Sequence, residues 1–427
     1  MVFTNLAPNT EKDDASLACR LIFSPWRWQK GDAFIKLEKE IASLTTVKHT
    51  VSFESGRTAL YAILTAAGIT KGDEVLLQAY TCVAVPDPVL WAGATPVYVD
   101  IDETLTMSVA DCEKKITPKS KAIIVQHTFG IPANLDSILA LATRHSLLII
   151  EDCAHALGAT YHGKPVGSFG DAAFFSFGRD KVISSVFGGM AATNNPQLAE
   201  KIRSLQQSYP LPGFFWIKQQ LLHPILMWLG KATYGFGGKI IIWLAKSLHL
   251  TSRAVYPIER VGGKPRFAGK RLSNALAILA IHQLKKLERF NTHRQKTAAL
   301  YQELLSPLFV SHQLTSQLAN LPAAAGRLTD KPIWLRYTIW TDHADRVKTE
   351  CAKQGILSGD WYDTPIAPRG VSYERIGYKL GSCPVAEKIA ARTINLPTDI
   401  HISENDAQKI CNIITTFYGN SNTPTKR

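Results

Sequence analysis

A lysine that follows an apolar segment is the first residue of this sequence that could do chemistry. Lys181 comes shortly after the run Phe174–Phe177 and is followed by the pair Gly188 and Gly189. Most lysines are solvated surface groups, but this one lies between apolar segments, where burial lowers the pKa of the amine. An amine with a lowered pKa is a usable nucleophile.

A short turn rich in small residues precedes a predicted helix. Ser55, Gly56, Arg57 and Thr58 come directly before the helical pattern Ala59–Ala67. The free N–H groups and the positive dipole end of such a helix suit a phosphate, and Arg57 would add a forked donor. Capping of the helix by Ser55 or Thr58 explains the same residues equally well.

A carboxylate and an imidazole follow an apolar strand. Asp152 and His155 come at the end of the run Leu147–Glu151. In open α/β sheets, ligands bind at the carboxyl ends of the strands, so both side chains are well placed for a ligand. Capping of the next turn by Asp152 is an equal alternative.

Together, the three segments supply what pyridoxal phosphate requires of a protein. A helix N-terminus holds the phosphate, a carboxylate keeps the pyridine nitrogen protonated, and a lysine forms an imine and transfers a proton. The three features coincide by chance far less often than any one of them occurs. No spacing typical of a metal site is present, so no metal is expected.

These segments resemble the DegT-type (DegT/DnrJ/StrS) sugar aminotransferases, which are fold-type I pyridoxal-phosphate enzymes. The resemblance is carried by Ser55–Leu60, Gly72–Cys82, Gly93–Asp102, Glu151–Lys181, Gly188–Asn194, Asn274–Leu287 and Cys383–Pro397. It covers most of residues 30–205 and 270–415. It implies an α/β fold, in which a large domain with a mostly parallel sheet precedes a smaller α+β C-terminal domain.

The resemblance also implies roles for individual residues. Lys181 would bind the cofactor as a Schiff base and transfer the proton, Asp152 would pair with the pyridinium nitrogen, and His155 would lie beside the cofactor. These three are the expected catalytic residues. The full set expected to bind the cofactor is Ser55, Gly56, Arg57, Cys82, Asp152, His155, Ser176 and Lys181.

The phosphate and ring contacts include departures from the family pattern. Ser176, Gly56 and Arg57 are expected to bind the phosphate, although Arg57 replaces a commoner threonine. Cys82 stands where many members have an aromatic residue that stacks on the cofactor ring. Gly269 falls about where an asparagine of the partner subunit often reaches the phosphate.

The resemblance implies a reaction and an assembly. Family members are typically homodimers with the active site at the subunit interface, and they move an amino group from glutamate to a keto sugar. The carrier of the sugar is expected to be a nucleotide or a lipid. A dehydratase subgroup has histidine in place of the lysine, and Lys181 argues against it. The alternatives are transamination of a non-sugar carbonyl and a non-catalytic, membrane-docked descendant, which the retention of Asp152, Ser176 and Lys181 disfavours.

The elements that must position these residues alternate between strands and helices, as in βα units that build a mostly parallel sheet. Strands are predicted at Glu74–Gln78, Thr95–Val99, Ala122–Gln126, Leu147–Glu151, Ala172–Phe177, Gly189–Thr193, Ile333–Trp340 and Thr393–Leu396. Beyond the helix after the small-residue turn, helices are predicted at Leu135–His145, Pro196–Gln207, Ser273–Leu305, Ala344–Gln354, Pro384–Ala391 and after Ser403. Residues 1–305 are the predicted cofactor-binding domain, with a bridging helix at 273–305, and residues 306–427 the small domain.

An apolar stretch at residues 214–250 has no equivalent in the family pattern. Two apolar segments flank a Gly-rich turn, and Pro224 interrupts the first. The stretch contains the lysines Lys218, Lys231, Lys239 and Lys246 and the tryptophans Trp216, Trp228 and Trp243. This mixture is typical of a helical hairpin lying in a membrane interface. A dimer-interface or substrate-covering element is an equal alternative.

Composition narrows the class of protein further. The chain has 427 residues and a formal net charge of +13, and its seven cysteines form no paired pattern. A reduced, cytoplasmic protein without an export signal is expected, with peripheral contact to the inner membrane face as an option. No run reaches the ~18 to 20 apolar residues of a spanning helix. Nucleic-acid binding rests on charge alone and is not expected.

Overall fold

The computed structural model describes residues 1–4, 7–311, 313–316, 330–359 and 361–421. Its helices are α1 Lys12–Ile22, α2 Ala33–Thr45, α3 Gly56–Ala66, α4 Pro86–Trp91, α5 Val109–Lys115, α6 Leu135–His145, α7 Pro196–Ser208, α8 Phe214–Ala232, α9 Lys239–Ser247, α10 Asn274–Leu284, α11 Leu287–Leu304, α12 Ser306–Val310, α13 Ala344–Lys353, α14 Pro384–Arg392 and α15 Glu404–Ser421. Its strands are β1 Val2–Phe3, β2 His49–Phe53, β3 Glu74–Gln78, β4 Thr81–Cys82, β5 Thr95–Val99, β6 Ser120–Gln126, β7 Leu148–Asp152, β8 Thr160–Tyr161, β9 Lys164–Pro165, β10 Ala172–Ser176, β11 Gly189–Thr193, β12 Thr315–Ser316, β13 Tyr337–Trp340, β14 Ile356–Leu357, β15 Ile366–Ala367 and β16 Thr393–Leu396.

A seven-stranded sheet is the centre of the large domain, with strand order β2-β11-β10-β7-β6-β3-β5. All neighbours pair in parallel except β11, which is antiparallel to both β10 and β2. Alternate residues of each strand enter two different cores. Ile123 and Ile149 belong to one, and Ile124 and Ile150 belong to the other. Helices therefore cover both faces of the sheet, which confirms the predicted α/β fold.

The predicted strands of this sheet are all present, with ends shifted by two residues at most. Sequence reasoning missed β2, because its residues Thr50 and Ser52 are polar. Both are buried in the structure, and Glu38 of α2 satisfies Ser52 by accepting hydrogen bonds from its N–H and its hydroxyl, at 2.8 Å each. A partner from the preceding helix thus makes a polar strand compatible with the interior.

The long helix predicted over Ser273–Leu305 is two helices, α10 and α11. The chain tightens between them, where the N–H of Lys286 donates to the carbonyl of Gln283 at 2.9 Å in an i to i+3 bond. Helix α10 is buried on nearly every side, whereas α11 is rich in charged residues. The break lets α10 stay inside the large domain while α11 leads to the C-terminal part of the chain.

The C-terminal part is built on the antiparallel sheet β12-β13-β16, which packs with α11, α13 and α15. The strand predicted from Ile333 forms only at Tyr337–Trp340. The N-terminal strand β1 pairs in parallel with β14, so the first residues of the chain pack with the C-terminal part. The division at residues 305 and 306 stays a prediction.

Residues 214–250 form a helical hairpin, as predicted from their two apolar segments. Helix α8 continues through Pro224, which is buried together with Leu221 and Met227. Trp216 does not face outward, because its ring lies 5.3 Å from that of Phe187 in the large-domain core. In the part of the chain that the structure describes, no helix is long and apolar enough to cross a bilayer.

Candidate active site

One cleft at the carboxyl ends of β7 and β10 collects the residues that the sequence singled out. The N-terminus of α3, which follows β2, forms one wall, and the loop after β10 forms another. All eight predicted cofactor-binding residues line it: Ser55, Gly56, Arg57, Cys82, Asp152, His155, Ser176 and Lys181. Parallel strand ends thus bring together segments that are more than 100 residues apart in the chain.

Lys181 is half-buried in this cleft, in the loop that follows β10. Its Nζ lies 2.8 Å from Nε2 of His155 and 4.7 Å from the centre of the Trp361 ring. Burial lowers the pKa of this amine, although the nearby Cys82 and Asp152 oppose the shift. The environment therefore favours the neutral, nucleophilic form more than that of a surface lysine does.

His155 is held in one tautomer by its surroundings. The N–H of Phe129 donates to Nδ1 at 3.4 Å, and the Phe129 ring stacks on the imidazole with centroids 5.5 Å apart. Burial, and secondarily the charge of Lys181, hold the pKa of His155 well below its usual value. A neutral imidazole that accepts at Nδ1 carries its proton on Nε2, the nitrogen that contacts the Lys181 amine.

Asp152 ends strand β7 and is buried. Its Oδ1 accepts from the N–H of Ala154 at 2.9 Å, so the carboxylate does cap the following turn, while the residue also lines the cleft. Burial raises the pKa of Asp152 to about 6, against the opposing effects of the Ala154 N–H, Lys181 and His127. Asp152 therefore caps the turn after β7 and also lies in the cleft, where a ligand would contact it.

The start of α3 forms a cradle suited to an anion. The Ser55 hydroxyl accepts from the N–H of Thr58, as the capping interpretation expects, and donates to Glu54 at 3.0 Å. A Cβ on Gly56 would lie 3.0 Å from that of Ser176, so the two segments approach at a distance that glycine alone accommodates easily. The helix N-terminus and the Ser176 hydroxyl therefore face one small space.

Arg57 does not offer the free fork that sequence reasoning expected. One of its terminal nitrogens forms a salt bridge with the buried Glu259, and the other donates to the carbonyl of Ala254 at 3.0 Å. Its charge contributes to the field of the cleft, but both ends of its guanidinium are committed within the chain. The role of Arg57 in binding the phosphate stays a prediction.

Arg179 is a residue of the cleft that sequence reasoning missed. Its two terminal nitrogens donate to the carbonyl and hydroxyl of Ser252, at 2.9 and 2.8 Å. Its buried Nε finds no acceptor among the described residues. The sequence signal was its position two residues before Lys181, but the pairing with Ser252 depends on the distant hairpin.

The C-terminal part of the chain contributes aromatic residues that were also missed. Strand β15 pairs with β4, and the segment before it brings Trp361 and Tyr362 into the cleft. The Trp361 ring stacks near His155, with centroids 5.8 Å apart. Cys82 has no ring to offer, and Trp361 is one of the aromatic residues that line the cleft, with Phe174, Phe187 and Tyr362. No local signal marked this residue, because its loop lies about 180 residues from Lys181 in the chain.

Gly269 lies behind the cradle and does not line the cleft. Its N–H donates to the hydroxyl of Thr58 at 3.1 Å, and the same hydroxyl donates to the buried Glu54. Burial raises the pKa of Glu54 to about 7. Within one chain, Gly269 therefore supports the start of α3 instead of reaching into the cradle.

These residues fit pyridoxal phosphate. The cradle at Gly56 and the guanidinium of Arg179 suit a phosphate group, and the buried carboxylate of Asp152 suits a protonated pyridine nitrogen. The amine of Lys181, whose pKa burial lowers, suits a carbonyl carbon. Together, these residues complement an anionic aromatic aldehyde with a basic ring nitrogen.

Comparison with known proteins agrees with this chemistry. The sequence profile of the DegT/DnrJ/EryC1/StrS aminotransferase family matches residues 9–210 and 250–415. The chain belongs to this family. It is therefore a pyridoxal-phosphate-dependent aminotransferase, as the sequence predicted. The matched ranges leave out residues 211–249, which correspond closely to the hairpin.

Individual relatives extend over most of the chain. It is 32% identical to UDP-N-acetyl-3-dehydro-α-D-glucosamine 3-aminotransferase of Acidithiobacillus ferrooxidans, over 88% of this chain and 86% of that protein. It is 28% identical to GDP-perosamine synthase of Escherichia coli O157:H7, over 92% and 93%.

Solved structures show the same fold. The ketimine complex of DesV from S. venezuelae has a TM-score of 0.72 at 26% identity, covering 95% of this chain and 94% of that one. The putative sugar aminotransferase Spr1654 from Streptococcus pneumoniae has a TM-score of 0.76 at 22% identity over the full length of both chains.

Proposed function

We propose that this aminotransferase moves an amino group from an amino acid, glutamate by expectation, to the keto group of a sugar carried on a nucleotide or a lipid. The observation that carries the proposal is the contact between the Lys181 amine, whose pKa burial lowers, and His155 beside the buried Asp152. Relatives named for UDP- and GDP-linked sugars support a sugar as the acceptor. The products would be a 2-oxo acid and an amino sugar.

The residues of the cleft divide the work. When bound, pyridoxal phosphate supplies an electron sink that stabilises negative charge on the carbon being aminated. Lys181 would hold the cofactor, and its amine would carry the proton to and from that carbon. Asp152, ionised by the positive charge of a protonated ring nitrogen, holds that proton in place. His155 orients the Lys181 amine through Nε2.

The N-terminus of α3 and the Ser176 hydroxyl bind the phosphate in this proposal, and Arg179 adds a positive charge beside it. Trp361 closes the cleft from the C-terminal part of the chain and excludes water from the Lys181 amine. A homodimer with the active site at the subunit interface is part of the proposal, on the basis of family membership.

Absorbance spectra of the purified protein, with and without glutamate, test the role of Lys181. We expect a cofactor band that glutamate converts in the wild type, and a conversion rate lowered by about a thousandfold or more in Lys181→Ala. Lys164→Ala, which removes an exposed lysine, is the matched control and should respond as the wild type does. A protein without the band, or a variant that responds like the wild type, would contradict the proposal.

Release of 2-oxoglutarate from glutamate tests the acceptor. UDP-N-acetyl-3-dehydro-α-D-glucosamine, the sugar in the name of the Acidithiobacillus relative, should support repeated turnover, and pyruvate should not. Turnover with pyruvate alone would favour the alternative of a non-sugar carbonyl substrate. A normal spectrum without turnover of any sugar tested would support the role of Lys181 and contradict the proposal that the acceptor is a sugar.

A further inference from the structure

The hairpin, residues 214–250, is attached to the enzyme by one face only. Ile217 and Leu221 of α8 enter the large-domain core, and farther along Met227 packs against Ile242 of α9. The two helices lie close, since a Cβ on Gly230 would come within 2.6 Å of the Ile242 side chain. The inner side of the hairpin is thus packed into the fold.

The outer face of α9 is apolar and exposed. Ile240, Trp243, Leu244 and Leu248 are spaced three to four residues apart and therefore share one side of the helix. Trp243 exposes 63% of its surface, and Phe236, in the turn before α9, is fully exposed. We call these five residues the outer face. Isolated apolar residues on a surface are ordinary, but a continuous apolar face on one helix indicates a contact.

The charge around the outer face has one sign. No acidic residue occurs between Glu200 and Glu259, whereas this segment contains seven lysines and arginines. Lys239 and Lys246 are exposed and, at 100° per residue, fall along one edge of the outer face. Lys231, in contrast, is half-buried, and burial lowers the pKa of its amine.

We propose that the outer face docks the enzyme on an anionic lipid bilayer, with α9 lying in the plane of the headgroups. Trp243 and Phe236 would enter the interface, and Lys239 and Lys246 would contact the anionic headgroups. No helix among the described residues is able to span a bilayer, so the contact is peripheral.

Charge favours a bilayer over a second copy of the chain as the partner. In a two-fold contact through the outer face, the same patch of both copies would meet. Lys239 and Lys246 of one copy would then face those of the other, with no acidic residue in the segment to neutralise them. An anionic headgroup layer complements this charge and accepts the apolar side chains at the same time.

The hairpin is also fixed to the active-site cleft. The hydroxyl of Ser252, which follows the hairpin, donates a hydrogen bond to Oε1 of Gln220 in α8 at 2.6 Å. Arg179 of the cleft donates to the carbonyl and the hydroxyl of Ser252, so the base of the hairpin and the cleft share a hydrogen-bonded network. Docking therefore orients the whole enzyme on the surface, since the hairpin is not attached as a loose tail.

Flotation of the full-length, cofactor-loaded enzyme with lipid vesicles tests the docking. We expect it to float with phosphatidylcholine vesicles that contain about a third phosphatidylglycerol, and to float much less with phosphatidylcholine alone. Lys239→Glu with Lys246→Glu should lower the affinity by about thirtyfold or more. Trp243→Ser with Leu244→Ser should lower it by about tenfold or more.

Matched controls separate docking from general changes of charge or folding. Lys119→Glu with Lys121→Glu makes the same change of charge at exposed lysines elsewhere, and Leu380→Ser removes an exposed leucine of the C-terminal part. Both should float as the wild type does. The proposal would be overturned if the wild-type enzyme does not float with the anionic vesicles. It would also be overturned if the controls lose binding as strongly as the hairpin variants.

Sedimentation of the same variants without lipid distinguishes the second copy from the bilayer. Docking predicts that the hairpin variants keep the oligomeric state and glutamate-driven spectral change of the wild type. If Trp243→Ser with Leu244→Ser dissociates the oligomer, the outer face is a subunit interface and the proposal is wrong.

Discussion

The active-site cleft and the outer face of the hairpin use the same kinds of residue in opposite ways. In the cleft, Lys181 and Trp361 are close together and shielded, and burial lowers the pKa of the amine. On the outer face, Lys239 and Trp243 are exposed to solvent. The comparison shows that the environment, and not the residue type, decides whether a lysine amine is desolvated in a cleft or exposed to solvent.

Asp152→Asn should show the largest effect on the cleft. The amide keeps the shape of the carboxylate and its acceptor for the Ala154 N–H but cannot stabilise a protonated ring nitrogen. We expect the rate of glutamate-driven conversion to fall by about a thousandfold. A rate within tenfold of the wild type would show that Asp152 is not the partner of the ring nitrogen.

The same substitution should stabilise the protein without cofactor. Because burial raises the pKa of Asp152 from 3.8 to about 6, the folded state keeps its proton where the unfolded state has lost it. The free energy of unfolding therefore declines as pH rises from about 4 to about 6, by up to about 3 kcal/mol. Urea unfolding of the cofactor-free proteins should show Asp152→Asn more stable at pH 7 and the two equal near pH 3.5.

Trp361→Leu tests whether the aromatic surface of the cleft comes from the C-terminal part of the chain. Loss of the ring next to Lys181 and His155 should weaken cofactor binding by about tenfold, measured by equilibrium titration. Trp26→Leu, which changes an exposed tryptophan, is the control and should leave the affinity unchanged. Equal cofactor affinities for Trp361→Leu and the wild type would show that the Trp361 ring does not contribute to cofactor binding.

Helix α9 offers the smallest and most local comparison, between its inner and outer sides. Ile242→Ala should destabilise the hairpin by about 2 kcal/mol, because it removes buried contacts with Met227 and Gly230. Trp243→Ser should change stability by less than about 0.5 kcal/mol. Amide hydrogen exchange of α9 measures both, and a large loss of protection in Trp243→Ser would show that its ring packs against protein.

Much of the sheet could be predicted because its strands are short runs of apolar residues between turns. Lys181, Asp152 and His155 could also be predicted, since each follows such a strand or closes it. The break between α10 and α11 could not, because the helical pattern continues through Lys285 and Lys286 and the turn depends on what each helix packs against.

The sequence by itself determined the α/β class, the family and the residue types of the cofactor site, because strand periodicity and local motifs are properties of neighbouring residues. The tertiary structure alone decided that Arg57 pairs with Glu259, that the Nε of Arg179 has no acceptor among the described residues and that the Trp361 ring lies against the Lys181 amine. It also decided which side of α9 is buried. The physical reason is that pairing, burial and the resulting pKa shifts depend on partners far away in the chain, which only the folded packing brings into contact.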